Sequence, residues 1–125
     1  MLRPKKPYRV GQWQVLVHDA KRAADFYRAC FGWTTNDRNS LGYRSILDGG
    51  LAGGIWPLQQ GTPFVQLFVA VSNVDDVVAL AVQSGGRVAF EKQVLPDGDE
   101  MAVIIDPEGI AWGVMLDRNL GRQKD

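Results

Sequence analysis

The stretches VLVHDAKRAADFYRACFGW, residues 15–33, and FVAVSNVDDVVALAVQSGGR, residues 68–87, are two versions of one pattern. A shift of 54 residues lays Val17 on Val71, His18-Asp19 on Ser72-Asn73 and Gly32 on Gly86. Each version opens with a β-prone apolar run, Trp13–Val17 or Gln66–Val71. Each then reaches a polar residue suited to a helix N-cap: Asp19 in the first, Ser72 or Asn73 in the second. An amphipathic helix follows. Ala20, Ala23, Ala24, Tyr27 and Phe31 share one stripe in the first, with Lys21, Arg22, Asp25 and Arg28 outside it. In the second, Val74, Val77, Val78 and Ala81 form the stripe, with Asp75, Asp76 and Gln83 outside. A glycine closes each helix, Gly32 or Gly85/Gly86, where a left-handed residue is usual. Cys30 reads as a small buried hydrophobe beside the first stripe.

The repeat continues. SILDGGLAGGIW (45–56) resembles VIIDPEGIAWGVM (103–115), each a strand, a tight turn and a strand. Asp106-Pro107-Glu108-Gly109 fits a type I turn, and Asp48-Gly49-Gly50 a shorter one. Residues 34–38 and 87–94 leave room for one more strand in each copy. The chain therefore reads as α+β, two tandem βαβββ modules in a curled mixed sheet that cups a cleft. Module 1 covers about 9–58 and module 2 about 63–117, with polar tails at 1–8 and 118–125 of one 125-residue domain. Two copies at this period make a duplicated half-domain and not a solenoid.

Composition narrows the function classes. Fourteen basic and fourteen acidic side chains balance, and a net charge near zero argues against a nucleic-acid binder, which needs a basic face, without excluding a local patch. No apolar run approaches the ~18 residues of a membrane span, and MLRPKKPYRV lacks a secretory apolar stretch. A single cysteine excludes an intramolecular disulfide and a cysteine metal cluster, which fits a reducing, cytoplasmic compartment. The one histidine, His18, reads as a surface or capping residue. Serines 40, 45, 72 and 84 thus lack a histidine partner for nucleophilic catalysis, and LDGGLAGGI reads as a hairpin turn before it reads as a phosphate cradle.

Paired βαβββ modules, a first helix ending FYRACFGW and a C-terminal DPEGIAWGV together resemble the vicinal oxygen chelate superfamily, the glyoxalase, bleomycin-resistance and extradiol dioxygenase group. The resemblance covers about residues 9–117. It implies the glyoxalase/bleomycin-resistance fold, a homodimer, and a cavity cupped by the sheets. It also implies a divalent metal held by His, Glu or Gln on the cupped face. Carried onto this chain, the ligand positions fall on Gln12, Gly54, Gln66 and Gly113. Glycine offers no ligand, and two neutral Gln carbonyls hold a transition metal poorly against water. The expectation is a member without the metal site and without a cofactor.

Strand alternation assigns the cupped face. Gln12, Gln14 and Leu16 share it, as do Gln66, Phe68 and Ala70, Ala52, Gly54 and Trp56, and Ala111, Gly113 and Met115. Tyr43 adds a ring. The candidate ligand-binding residues are therefore Gln12, Gln14, Tyr43, Gly54, Trp56, Gln66, Phe68, Gly113 and Met115, with open floor expected at the two glycines. The expected function is binding or sequestering a partly aromatic or cationic organic compound. The alternatives are a glyoxalase-like lyase, isomerase or epimerase, and an interaction domain whose cleft its own subunits fill.

Overall fold

The structure, a computed structural model, describes residues 4, 6–37 and 43–120. These residues form β1 (Arg9–Val17), α1 (Ala20–Phe31), β2 (Thr35–Asn36), β3 (Arg44–Ile46) and β4 (Ala52–Pro57). The second series is β5 (Phe64–Val71), α2 (Val74–Gln83), β6 (Arg87–Val94), β7 (Glu100–Ile105) and β8 (Ala111–Leu116). The order is βαβββ twice, an α+β chain. No helix among the described residues is long and apolar enough to cross a membrane.

The chain gathers into two compact units. The first runs from Gly11 to Leu67. The second takes the chain up to Val10 and from Phe68 onward. In the first, the strand order is β2-β3-β4-β1, with β1 parallel to β4 and the other pairs antiparallel. In the second it is β5-β8-β7-β6, with β5 parallel to β8 and the rest antiparallel.

Local chemistry sets the helix ends. The Asp19 carboxylate accepts from the Arg22 amide at 3.0 Å, and the Asn73 side chain accepts from the Asp76 amide at 3.0 Å. Each satisfies one amide that the first helical turn leaves without a partner. Asp75 and Asp76 add negative charge where the α2 dipole is positive. Gly32, at φ 74°, ends α1 in the left-handed region, and its amide donates to the Arg28 carbonyl.

The two cores use different side chains. In the first unit Val15, Ala24, Ile46 and Ile55 are buried, and Trp13, Tyr27 and Trp33 pack around them. Trp13 lies flat over Gly53, where an added Cβ would stand 2.6 Å from Trp13 Cζ2. Its indole N–H donates to the Leu51 carbonyl at 2.9 Å. In the second unit Val71, Val74, Ala102 and Val114 are buried, joined by Val69, Val77, Val78, Ile104 and Leu116.

Two expectations about α1 are corrected. Phe31, expected on the buried stripe, is 56% exposed. It is the last residue of the helix, and Trp33, with its ring 4.9 Å away, takes the place over the core. Cys30, expected to be buried, is exposed. At roughly 100° per residue it sits about 120° around the helix from Ala24, outside the packed stripe.

Candidate functional site

In the first unit, Trp13, Val15 and Val17 pack toward α1 with Ile55. By alternation Gln12, Gln14 and Leu16 lie on the opposite sheet face. Parallel pairing sets Gln12 beside Ala52, Gln14 beside Gly54 and Leu16 beside Trp56. Antiparallel pairing sets Ser45 on the other side of Gly54. Ser45, Gly54 and Gln14 therefore form one row across three strands. Ser45 joins the candidate residues here. Its signal in the sequence is its place two residues after Tyr43, which puts both on one face of a strand.

The Tyr43 ring stacks on Trp56 with centroids 4.7 Å apart and planes 11° apart. It also lies over Gly54, where an added Cβ would stand 2.9 Å from Tyr43 Cε2. The Tyr43 hydroxyl is 2.9 Å from Ser45 Oγ. Gln14 is 9% exposed, and no hydrogen bond to its side chain forms among the described residues. The Trp56 Nε1–H is buried without an acceptor. Tyr43, Ser45, Ala52, Gly54, Trp56, Gln12, Gln14 and Leu16 include no charged side chain. Arg44 alternates to the other face and pairs with Asp37 at 3.6 Å. Gln66 is buried, and its Nε2 donates to the Leu67 carbonyl at 3.1 Å.

In the second unit, pairing sets Phe68 beside Gly113 and Ala70 beside Met115. Phe68 is buried. A Cβ on Gly113 would run into three atoms of the Phe68 ring. The open floor expected at Gly54 and Gly113 is thus corrected: each glycine lies under an aromatic ring that needs the missing Cβ in order to lie flat. The structure brings Gln14, Tyr43, Gly54 and Trp56 together in the first unit, with Gln12 one row further along β1. Phe68, Gly113 and Met115 gather in the second.

The titratable groups do other work. His18 Nδ1 and Nε2 stand 2.8 Å from the carbonyl oxygens of Leu58 and Gly61. Both ring nitrogens face the segment between β4 and β5. The Thr34 hydroxyl and amide hold the Asp48 carboxyl below its ordinary range. Asp106 is lowered by the Ile110 amide first, then by the Trp112 indole and the Glu108 amide. Burial raises the Tyr27 phenol. Among the described residues, no three His, Cys, Asp or Glu side chains converge as a metal site requires.

The sequence matches the family model described as a Glyoxalase-like domain over residues 14–115. Two relatives named "Putative glyoxylase CFP32", from Mycobacterium bovis and Mycobacterium tuberculosis, are 32% identical over 133 aligned positions. The alignment takes in 94% of this chain and 51% of theirs. The chain thus spans about half the length of the curated relatives it matches. A solved methylmalonyl-CoA epimerase in complex with methylmalonyl-CoA and NH4+ is similar, with a TM-score of 0.59 at 19% identity, over 90% of this chain and 96% of that one. A hypothetical protein from Bacillus halodurans C-125 gives a TM-score of 0.66 at 13% identity, over the same shares. At these identities the likeness is one of fold.

Proposed function

Because the chain belongs to the glyoxalase-like domain family, we propose that it is a small-molecule-binding member that works without a bound metal. Its ligand is a partly aromatic or cationic organic compound, held on the face of the first unit opposite α1. The observation that carries this reading is the buried Trp56 Nε1–H without an acceptor, on the sheet face that also carries Gln14 and the Tyr43 ring stacked on Trp56. Burying an indole N–H without a hydrogen bond costs about 1–3 kcal/mol, a cost that a ligand offering an acceptor removes.

The divalent metal of the superfamily does not fit these residues. Of the four positions that the resemblance assigns, two are glycines and two are glutamines. The rings of Tyr43 and Phe68 lie over the two glycines. A homodimer in the cytoplasm belongs to the same proposal, supported by the resemblance and by the single cysteine.

A second reading, a glyoxalase-like lyase, isomerase or epimerase, draws support from what the relatives are named. Elemental analysis of protein purified without chelator separates the two. The metal-free reading expects less than a tenth of an equivalent of any divalent ion. A stoichiometric, tightly held ion would overturn it. A thermal-shift screen with aromatic and cationic compounds should give concentration-dependent stabilisation, and silence across every class would sink the binding reading.

A further inference from the structure

Helix α1 carries an apolar surface that its own unit leaves uncovered. At about 100° per residue, Ala23, Phe26 and Cys30 fall within about 60° of one another, on one flank of the helix beside the buried Ala24. Phe26 is 58% exposed, and Cys30 is exposed too. The exposed Phe31 ring meets the Phe26 ring edge-on, with centroids 6.4 Å apart, and carries the patch to the end of the helix. Contiguous exposed apolar patches of this kind mark interaction surfaces. The other flank differs. There Asp25 pairs with Lys21 at 3.0 Å and with Arg28 at 3.3 Å, so its charges are matched within the helix.

The polar groups at the two ends of the patch indicate what covers it. Arg22 lies one turn before Phe26 and is exposed, and no ion pair engages its guanidinium among the described residues. At the far end, the Gly32 amide takes the Arg28 carbonyl. The carbonyls of Ala29, Cys30 and Phe31 accept no backbone amide among the described residues. The patch thus has an unpaired cation at one end and the negative end of the helix dipole at the other. Reversed by a twofold axis, such a surface complements itself. A second α1 lying antiparallel brings the two Phe26 rings to the centre. It sets Arg22 against the partner's last helical turn, where a cation is favourable. It also sets Cys30 opposite the partner's Ala23, and these small side chains leave the grooves into which the rings fit.

We propose, resting on the homodimer named above, that two copies of the chain pair through this flank of α1. The contact is isologous, each helix giving the other a ring, a guanidinium and a row of carbonyl acceptors. The occupant is a second copy because the same patch, reversed, answers both of its polar ends.

Sedimentation equilibrium of the full chain should give a dimer. Phe26→Glu should raise the dimer Kd by roughly thirtyfold or more, as expected for an aromatic at the centre of an interface. Arg22→Ala should raise it about tenfold and flatten its dependence on salt, whereas Lys21→Ala, on the other flank, should change it less than about twofold. A native far-UV spectrum shows that each variant still folds. Ala23→Cys tests the register independently. With oxidised glutathione it should form a disulfide to the partner's Cys30 and run as a covalent dimer. Within one helix, positions 23 and 30 are about 10 Å apart, too far to bridge. The unsubstituted chain should stay uncross-linked, because the two Cys30 residues lie about 10 Å apart along the paired helices. A monomer at every attainable concentration overturns this inference and the homodimer with it. A dimer that Phe26→Glu leaves intact and Ala23→Cys does not cross-link overturns the inference alone. Ligand binding on the face opposite α1 is read separately by the thermal-shift screen and stands under either outcome.

Discussion

The same register position holds opposite chemistry in the two units. In the first, Gln14 lies beside Gly54; in the second, Phe68, 54 residues later, lies beside Gly113. Each glycine is there because a ring covers it. The sources of the rings differ. In the second unit the ring belongs to the paired residue itself, so Phe68 fills its own row. In the first, Tyr43 supplies it from beside another strand, and the paired residue is an amide left with no partner among the described residues. One half of the duplication has closed its face with hydrocarbon. The other keeps a polar side chain at the same position.

Truncation should show the difference at its largest. Phe68→Ala removes a buried ring and should cost about 3–5 kcal/mol in urea unfolding. Gln14→Ala should cost less, about 1–2 kcal/mol, because it removes a smaller, polar side chain. Equal costs would show that Gln14 is an ordinary core residue and would erase the contrast. The glycines should follow at smaller size. Gly113→Ala forces its methyl into the buried Phe68 ring on the neighbouring strand and should cost about 2–3 kcal/mol, whereas Gly54→Ala should cost about 1 kcal/mol because the Tyr43 ring stands farther from the added methyl. Adding Phe68→Leu to Gly113→Ala should recover part of the loss. A strictly additive double variant would mean that the ring is not what excludes the methyl.

Much of this architecture is legible in the sequence because it is set locally. Asp19 and Asn73 cap, Gly32 terminates and Asp106-Pro107-Glu108-Gly109 turns, each through its own backbone and near neighbours. The face assignments along β1, β4, β5 and β8 follow from alternation alone. What was not legible depends on partners distant in sequence. Nothing in the chain says which glutamine lies opposite Gly54, since that is decided by the β1–β4 register. Nothing marks Gly54 and Gly113 as covered, because the covering rings come from Tyr43 and Phe68. The helical stripe places Phe31 on the apolar side of α1, and only the tertiary position of Trp33 leaves it exposed.

The smallest effect distinguishes the turns that follow the two helical segments. The repeat aligns Asp48 with Asp106, and hydrogen bonds depress both carboxyls. A carboxyl lowered in the folded state stabilises the fold above the ordinary carboxylate range of about 4, and that stability is lost as pH falls through the folded value. Both side chains meet water, so each contribution is modest and salt-screened. Asp106 accepts from the amides of Glu108 and Ile110 and from the Trp112 indole, within its own hairpin. Asp48 accepts from a single residue, Thr34, 14 positions away. Asparagine keeps an acceptor but cannot titrate there. Asp106→Asn should therefore flatten the fall of the urea midpoint between about pH 5 and pH 3, and Asp48→Asn should flatten it less. Curves parallel to that of the unsubstituted chain would remove these two turns from the acid response. A larger flattening at Asp48 would mean that the one long-range contact outweighs three local ones.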